Sequence, residues 1–173
     1  MHKNIKLLIL DNDGVLTNGR IYYDDNRIET KAFSARDGLG IKLLGFTDIK
    51  IAIITGRRSQ ILQQRCQDLG IEILFQKIQN KLKVAEGILA KLGLNWQNVA
   101  YMGDDWNDFP VMEKAAIKAV PKNVFPDFQK QADFVSQYNG GEGAVREFIE
   151  YLLRSRGEYE EVLQKFLDHL RNA

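Results

Sequence analysis

The chain has 173 residues, enough for one domain with a sizeable core and too few for two full ones. Its 24 basic and 23 acidic residues nearly cancel to a formal charge of +1, so the overall balance steers it toward neither nucleic acid nor an anionic membrane. A composition of 45% hydrophobic and 27% charged residues excludes a disordered or fibrous chain.

The opening MHKNIKLLILDNDG holds a short apolar run, residues 5–10, that Asp11 cuts off. It is too short for a signal peptide or membrane span and reads as a strand buried on both faces. Segment 18–34, NGRIYYDDNRIETKAFS, sets two β-prone pieces around the turn cluster Asp24-Asp25-Asn26 and predicts a projecting hairpin. If Ile21, Tyr22, Tyr23 and Phe33 stay uncovered there, self-association would bury them; the alternative is a hairpin that caps its own core. Strand-like runs follow at 49–55, 71–75, 98–103 and 116–120, separated by stretches of helical period such as RSQILQQRCQDLG and KLKVAEGILAKLG. Gly70 and Gly93 stand where helix C-caps belong.

This alternation predicts an α/β fold, a doubly wound and mostly parallel sheet over a single domain, 1–173, with ligands outside the carboxyl ends of the strands. Residues about 158–171 form a helical tail with Tyr159, Val162, Leu163, Phe166, Leu167 and Leu170 on one face, which should pack on something. The lone Cys66 can form no disulfide within the chain, and no histidine lies near it, so a structural thiol in a reducing cytoplasm is the simplest reading.

Asp11 and Asp13 follow the first strand in DNDGVLT, where two clustered carboxylates repel each other and a hard cation such as Mg²⁺ would relieve the repulsion. Alone, such a pair is as readily a polar turn. GDDWND (103–108) adds Asp104, Asp105 and Asp108 after another apolar strand, and uncompensated negative charge gathered from two strands favours a bound cation, with Asp104 the best ligand of its cluster. Thr55 and Gly56 end the strand IAIITGR, where a hydroxyl and a backbone N–H could meet a phosphate oxygen. Lys81 opens a helix and could offset phosphoryl charge, although a solvated lysine is the commoner outcome. The two histidines, His2 and His169, lie near the termini, which argues against a histidine-based triad or zinc site and favours phosphoryl transfer through an aspartyl-phosphate. GGEGAVRE (140–147) could cradle an anion at a helix N-terminus, but reads more simply as a turn.

In order, DNDGVLT, ITGR, Lys81 and GDDWND resemble the four motifs of the haloacid dehalogenase superfamily of phosphotransferases. FSARDGLGIKLL, IITGRRSQILQQRCQDLGI, NVAYMGDDWND and GGEGAVREF look more specifically like its capless phosphatases of 3-deoxy-D-manno-octulosonate (KDO) 8-phosphate, an enzyme class of lipopolysaccharide precursor synthesis. The resemblance implies a Rossmann-like fold and a phosphoric monoester hydrolase in which Asp11 attacks phosphorus while Asp13 serves as proton donor and then base. By the same carry-over, Asp11, Asp13 (through its backbone carbonyl), Asp104 and, through water, Asp108 hold Mg²⁺. Thr55, Gly56 and Lys81 steady the phosphoryl oxygens, and Arg57 and Arg65 receive the sugar carboxylate. It also implies a homotetramer built through the hairpins. Asn12 and Asn18 depart from the pattern, which more often has an apolar residue and an acid there.

Two other readings stay open. A phosphatase of a nine-carbon sialic-type acid 9-phosphate is the nearest, with the Arg after Thr55-Gly56 and Arg36-Asp37-Gly38 tilting toward the eight-carbon acid. A phospho-receiver signalling domain also gathers acids, a Thr and a Lys at one sheet edge, but in a different motif order.

Overall fold

The computed structural model describes residues 4–172; His2 lies outside them. In chain order the elements are β1 (Leu7–Leu10), β2 (Tyr22–Tyr23), β3 (Glu29–Thr30), α1 (Ala35–Leu44), β4 (Lys50–Ile54), α2 (Gln60–Leu69), β5 (Ile73–Phe75) and α3 (Lys81–Leu92). The second half adds β6 (Val99–Met102), α4 (Phe109–Met112), β7 (Ile117–Val120), α5 (Pro126–Gln129), β8 (Phe134–Val135), α6 (Ala144–Arg156) and α7 (Tyr159–Arg171).

Six strands form one sheet in the order β5-β4-β1-β6-β7-β8, and every pair in it is parallel. Strand β1 therefore lies between β4 and β6, the point from which the two halves of the chain wind outward, and there the crevice beyond the strand ends is set. All four residues of β1 are buried. Leu8 and Leu10 face a cluster with Ile41, Leu62 and Phe148, whereas Leu7 and Ile9 face one with Ala85, Val111 and Phe128. Two helical layers thus cover the two faces, and each aliphatic side chain removed from water contributes roughly 1.5–3 kcal/mol.

The helices over residues 60–69 and 81–92 end at Gly70 and Gly93, whose φ values of 69° and 65° are the left-handed conformation a C-cap needs. Helix α1 is not visible in the sequence pattern, because Gly38 and Gly40 lower its helix propensity. Tertiary packing explains them: a Cβ on Gly40 would lie 2.9 Å from Cδ of Arg146 on α6.

Strands β2 and β3 pair antiparallel, Tyr22 opposite Thr30 and Tyr23 opposite Glu29. In their turn Asp24 Oδ1 accepts from the N–H groups of Asn26 and Ile28. Ile21, Tyr22, Tyr23 and Ile28 are exposed at 43–61%, whereas Phe33 packs on the chain's own core. Helix α7 likewise divides: Tyr159, Val162 and Phe166 pack on the core, with Phe166 edge-on to Phe46, while Leu167 and Leu170 face outward. The apolar face expected to be covered is covered along its first half. Among the described residues, no helix is long and apolar enough to cross a membrane.

Candidate active site

The carboxyl ends of β1, β4 and β6 deliver the acidic and hydroxyl groups to one crevice. Its cavity of about 400 Å³ is lined by Asp11, Asp13, Gly19, Thr55, Gly56, Arg57 and residues Asp104 to Asn107. Directly after β1 the chain turns through Gly14 at φ +89°, and a Cβ there would sit 1.9 Å from Oδ2 of Asp104, so only glycine lets the two acidic loops meet.

Asp11, Asp104 and Asp108 each bring a carboxylate oxygen within 4.8 Å of the other two. Lys81, at the start of α3, reaches between them: its buried Nζ is 2.9 Å from Asp11 and 2.6 Å from Asp108. Asp108 is wholly buried and its carboxylate already has three donors, accepting from Lys81 and the Tyr101 hydroxyl on Oδ1 and from the Asp104 N–H on Oδ2. Among the described residues, Asp11 has only the N–H of Asn12 and Lys81 as donors.

One ammonium against three clustered acids, Asp11 and Asp108 buried and Asp104 partly so, leaves the site short of positive charge. Burial, reinforced by Asp108, pushes the Asp11 carboxyl up to about 7 despite Lys81. Burial, again with Asp108 and then Asp11, pushes Asp104 up to about 8. Burial alone would pull the Lys81 ammonium down, but Asp108 and Asp11 outweigh it and hold it above its usual value. A donor set made of carboxylate oxygens with unmet negative charge suits a hard divalent cation, and Asp11 and Asp104 are the carboxylates with capacity to hold it.

Thr55 is buried beside Gly56 on the cavity wall. Asp13 accepts from Lys31 at 2.5 Å and from Asn12 Nδ2 at 3.0 Å. Arg57 is held over the mouth by Glu29 at 3.0 Å and the Tyr23 hydroxyl at 2.7 Å. Arg65 does not line this cavity; its guanidinium donates to the Ser34 carbonyl and lies over the Phe33 ring.

The glycine-rich turn before α6 cradles an anion of the chain's own: Asp37 accepts from the N–H groups of Gly143 and Arg146, so the simpler reading of that segment as a turn holds. Cys66 is buried, which pushes its thiol up to about 11 and leaves it inert, as a structural cysteine. Sequence reasoning passed over Tyr101, Lys31 and Glu29. A tyrosine inside a buried strand was a usable signal, since its hydroxyl must find a partner; nothing local distinguished Lys31 or Glu29 from other charged residues.

A model of the haloacid dehalogenase-like hydrolases matches residues 64–149. The chain is 46% identical to the KDO 8-phosphate phosphatase KdsC of Escherichia coli strain K12, over 92% of this chain and 85% of that protein. The KDO 8-phosphate phosphatase of Moraxella catarrhalis, solved with magnesium, phosphate and KDO, superposes with a TM-score of 0.91 at 36% identity, over 95% of each chain. That of Yersinia pestis superposes with a TM-score of 0.89 at 41% identity, over 92% of this chain and 86% of that one. With the sheet order, the acidic crevice and these similarities in agreement, the chain belongs to the KDO 8-phosphate phosphatase family of haloacid dehalogenase-like hydrolases.

Proposed function

We propose that this protein hydrolyses KDO 8-phosphate to KDO and inorganic phosphate in the cytoplasm, as one phosphatase domain with Mg²⁺ as its cofactor. The observation that carries the reading is the Asp11 carboxylate at the tip of β1, 2.9 Å from Lys81 and grouped with Asp104 and Asp108. A sugar-acid phosphate suits a cavity walled by acids, with the Lys81 ammonium paired to Asp11 behind them and Arg57 on the wall.

Asp11 and Asp104, with the backbone carbonyl of Asp13 and with Asp108 through water, would hold the cation. Bound there, Mg²⁺ supplies positive charge that offsets the carboxylates and the phosphoryl oxygens. An Asp11 oxygen forms a bond to phosphorus as the bond from phosphorus to the sugar oxygen breaks, and Asp13 gives that oxygen its proton. Asp13 then takes a proton from water, which attacks the aspartyl-phosphate and frees Asp11 and phosphate. Lys81, the Thr55 hydroxyl and the Gly56 N–H steady the phosphoryl oxygens.

Arg57 receives the sugar carboxylate. Arg65 stands off the wall of its own cavity, so its part in holding that carboxylate requires a site shared with another subunit. The exposed Ile21, Tyr22, Tyr23 and Ile28 support assembly through the hairpins as a homotetramer.

Phosphate release from KDO 8-phosphate, a nine-carbon sialic-type acid 9-phosphate and a panel of other sugar phosphates tests the reading, with Asp11→Asn as control. The eight-carbon acid should give the highest kcat/KM, and Asp11→Asn none. Preference for the nine-carbon acid would replace the substrate; turnover by Asp11→Asn would end the mechanism. Light scattering on the eluting protein reads the assembly.

A further inference from the structure

Lys31 is the residue after β3, on the arm of the hairpin that returns to the core. Its side chain is 1% exposed, and its Nζ contacts Asp13 Oδ1 at 2.5 Å and Glu29 at 3.4 Å. An ammonium withdrawn from water in this way costs several kcal/mol that an ion pair does little more than recover, so fold stability alone is a weak reason for it.

The geometry around Asp13 gives a better one. Both donors to this carboxylate, Lys31 and the Asn12 amide, converge on Oδ1. Among the described residues Oδ2 is buried without a hydrogen-bond partner, and Arg57 holds its Nε 3.8 Å away, beyond bonding reach. One oxygen is clamped and its twin is kept free. A carboxyl group that exchanges a proton with a leaving alkoxide and then with water must present one oxygen in a fixed direction, since a misplacement of about 1 Å can cost about 100-fold in rate.

We propose that Lys31 is a positioning residue for catalysis: it clamps Asp13 through Oδ1, so that Oδ2 is the oxygen that trades the proton with substrate and water. This rests on the part given above to Asp13. The hairpin thereby becomes an element of its own subunit's chemistry, and the orientation of Asp13 depends on β3 lying in register with β2.

The test compares two esters on the intact Mg²⁺-loaded protein. KDO 8-phosphate releases an alkoxide that needs a proton, whereas p-nitrophenyl phosphate releases a phenolate that does not. The two esters share the later attack of water, so the comparison is made on kcat/KM, which reads the steps up to release of the alcohol: Lys31→Met should lower it by about 10- to 100-fold for the sugar phosphate and at least tenfold less for the nitrophenyl ester. Lys31→Gln, which keeps an N–H for Oδ1, should recover part of the loss and serves also if the Met variant folds poorly. In an Asp13→Asn background, Lys31→Met should change kcat no further, because the clamp has nothing left to aim. Equal losses of kcat/KM on both esters, or additive losses of kcat in the double variant, would overturn the clamp and leave Lys31 a fold element. Wild-type turnover by Lys31→Met beside an inactive Asp13→Asn would overturn the clamp alone. Full activity of Asp13→Asn would instead overturn the reading of Asp13 beneath it.

Discussion

The Tyr101 hydroxyl donates to Asp108 at 2.5 Å, and neither residue has any exposure to solvent. Burial, with the charge of Asp108 behind it, holds the phenol well above its ordinary value, so Tyr101 stays a donor at any working pH. Sharing Oδ1 with Lys81, it turns Asp108 into a fixed support and leaves Asp11 and Asp104 as the acids with free capacity.

Tyr101→Phe removes that donor and keeps the ring. A hydrogen bond to a buried charge contributes about 1.5–3 kcal/mol, so the variant should unfold on the order of 5 °C lower. Weaker Mg²⁺ binding should accompany it, because a less restrained Asp108 carboxylate swings toward Lys81 and loosens its hold on the Asp104 N–H. Thermal melts with and without metal measure both effects, and an unchanged melting temperature would show the hydroxyl to be idle.

The metal-free protein should lose stability as pH rises. The folded carboxyls of Asp11 and Asp104 titrate near 7 and 8, raised mainly by burial, whereas unfolded Asp titrates at about 3.9. Between these values the folded state holds protons that the unfolded state has released, so each group's contribution is full at about pH 4 and is lost as pH climbs through its folded value. Melts in chelator should therefore fall from about pH 5 to 8 and then flatten. Added Mg²⁺ should stabilise more at the alkaline end, where both acids are charged. A metal-free stability that rises over that range would contradict the charge assignment.

Gly140 meets the loop after β1 backbone to backbone. A Cβ there would lie 1.8 Å from the Gly14 carbonyl oxygen, and the next N–H, that of Gly141, bonds the Val15 carbonyl at 2.9 Å. Gly140→Ala must push the loop that carries Asp11 and Asp13. Overpacking of this kind costs about 1–3 kcal/mol. The expected result is a folded protein by circular dichroism with kcat down at least tenfold; a wild-type kcat would mean that the turn yields instead.

The parallel frame was legible because strands buried on both faces leave continuous apolar runs, as IKLLIL does, and because Gly70 and Gly93 punctuate their helices. The acids at the strand tips were legible for the same reason: a buried strand running straight into Asp11 or Asp104 can only release them at the sheet edge. Contacts made by chain segments distant in sequence were not. Lys31 reaches Asp13 only once the hairpin folds back, and Gly38 and Gly40 of α1 look like helix breakers until α2 packs against the first and α6 against the second. Strand β8, two residues long, is too short to set a pattern at all.

Lys81 allows stability and chemistry to be separated. Its Nζ is the compensating cation for Asp11 and Asp108, and removing one partner of a buried pair usually costs about 3–5 kcal/mol. Lys81→Met should accordingly melt far below wild type in the absence of metal and show no measurable phosphatase activity. Adding Asp108→Asn removes one of the two stranded charges while preserving the shape of the group that Tyr101 and the Asp104 N–H contact. The double variant should regain a large part of the stability and none of the activity, because a neutral amide in place of the Asp108 carboxylate restores charge balance but puts no ammonium beside the phosphoryl oxygens. Recovery of turnover along with stability would mean that Lys81 serves the fold and not the transferring phosphate.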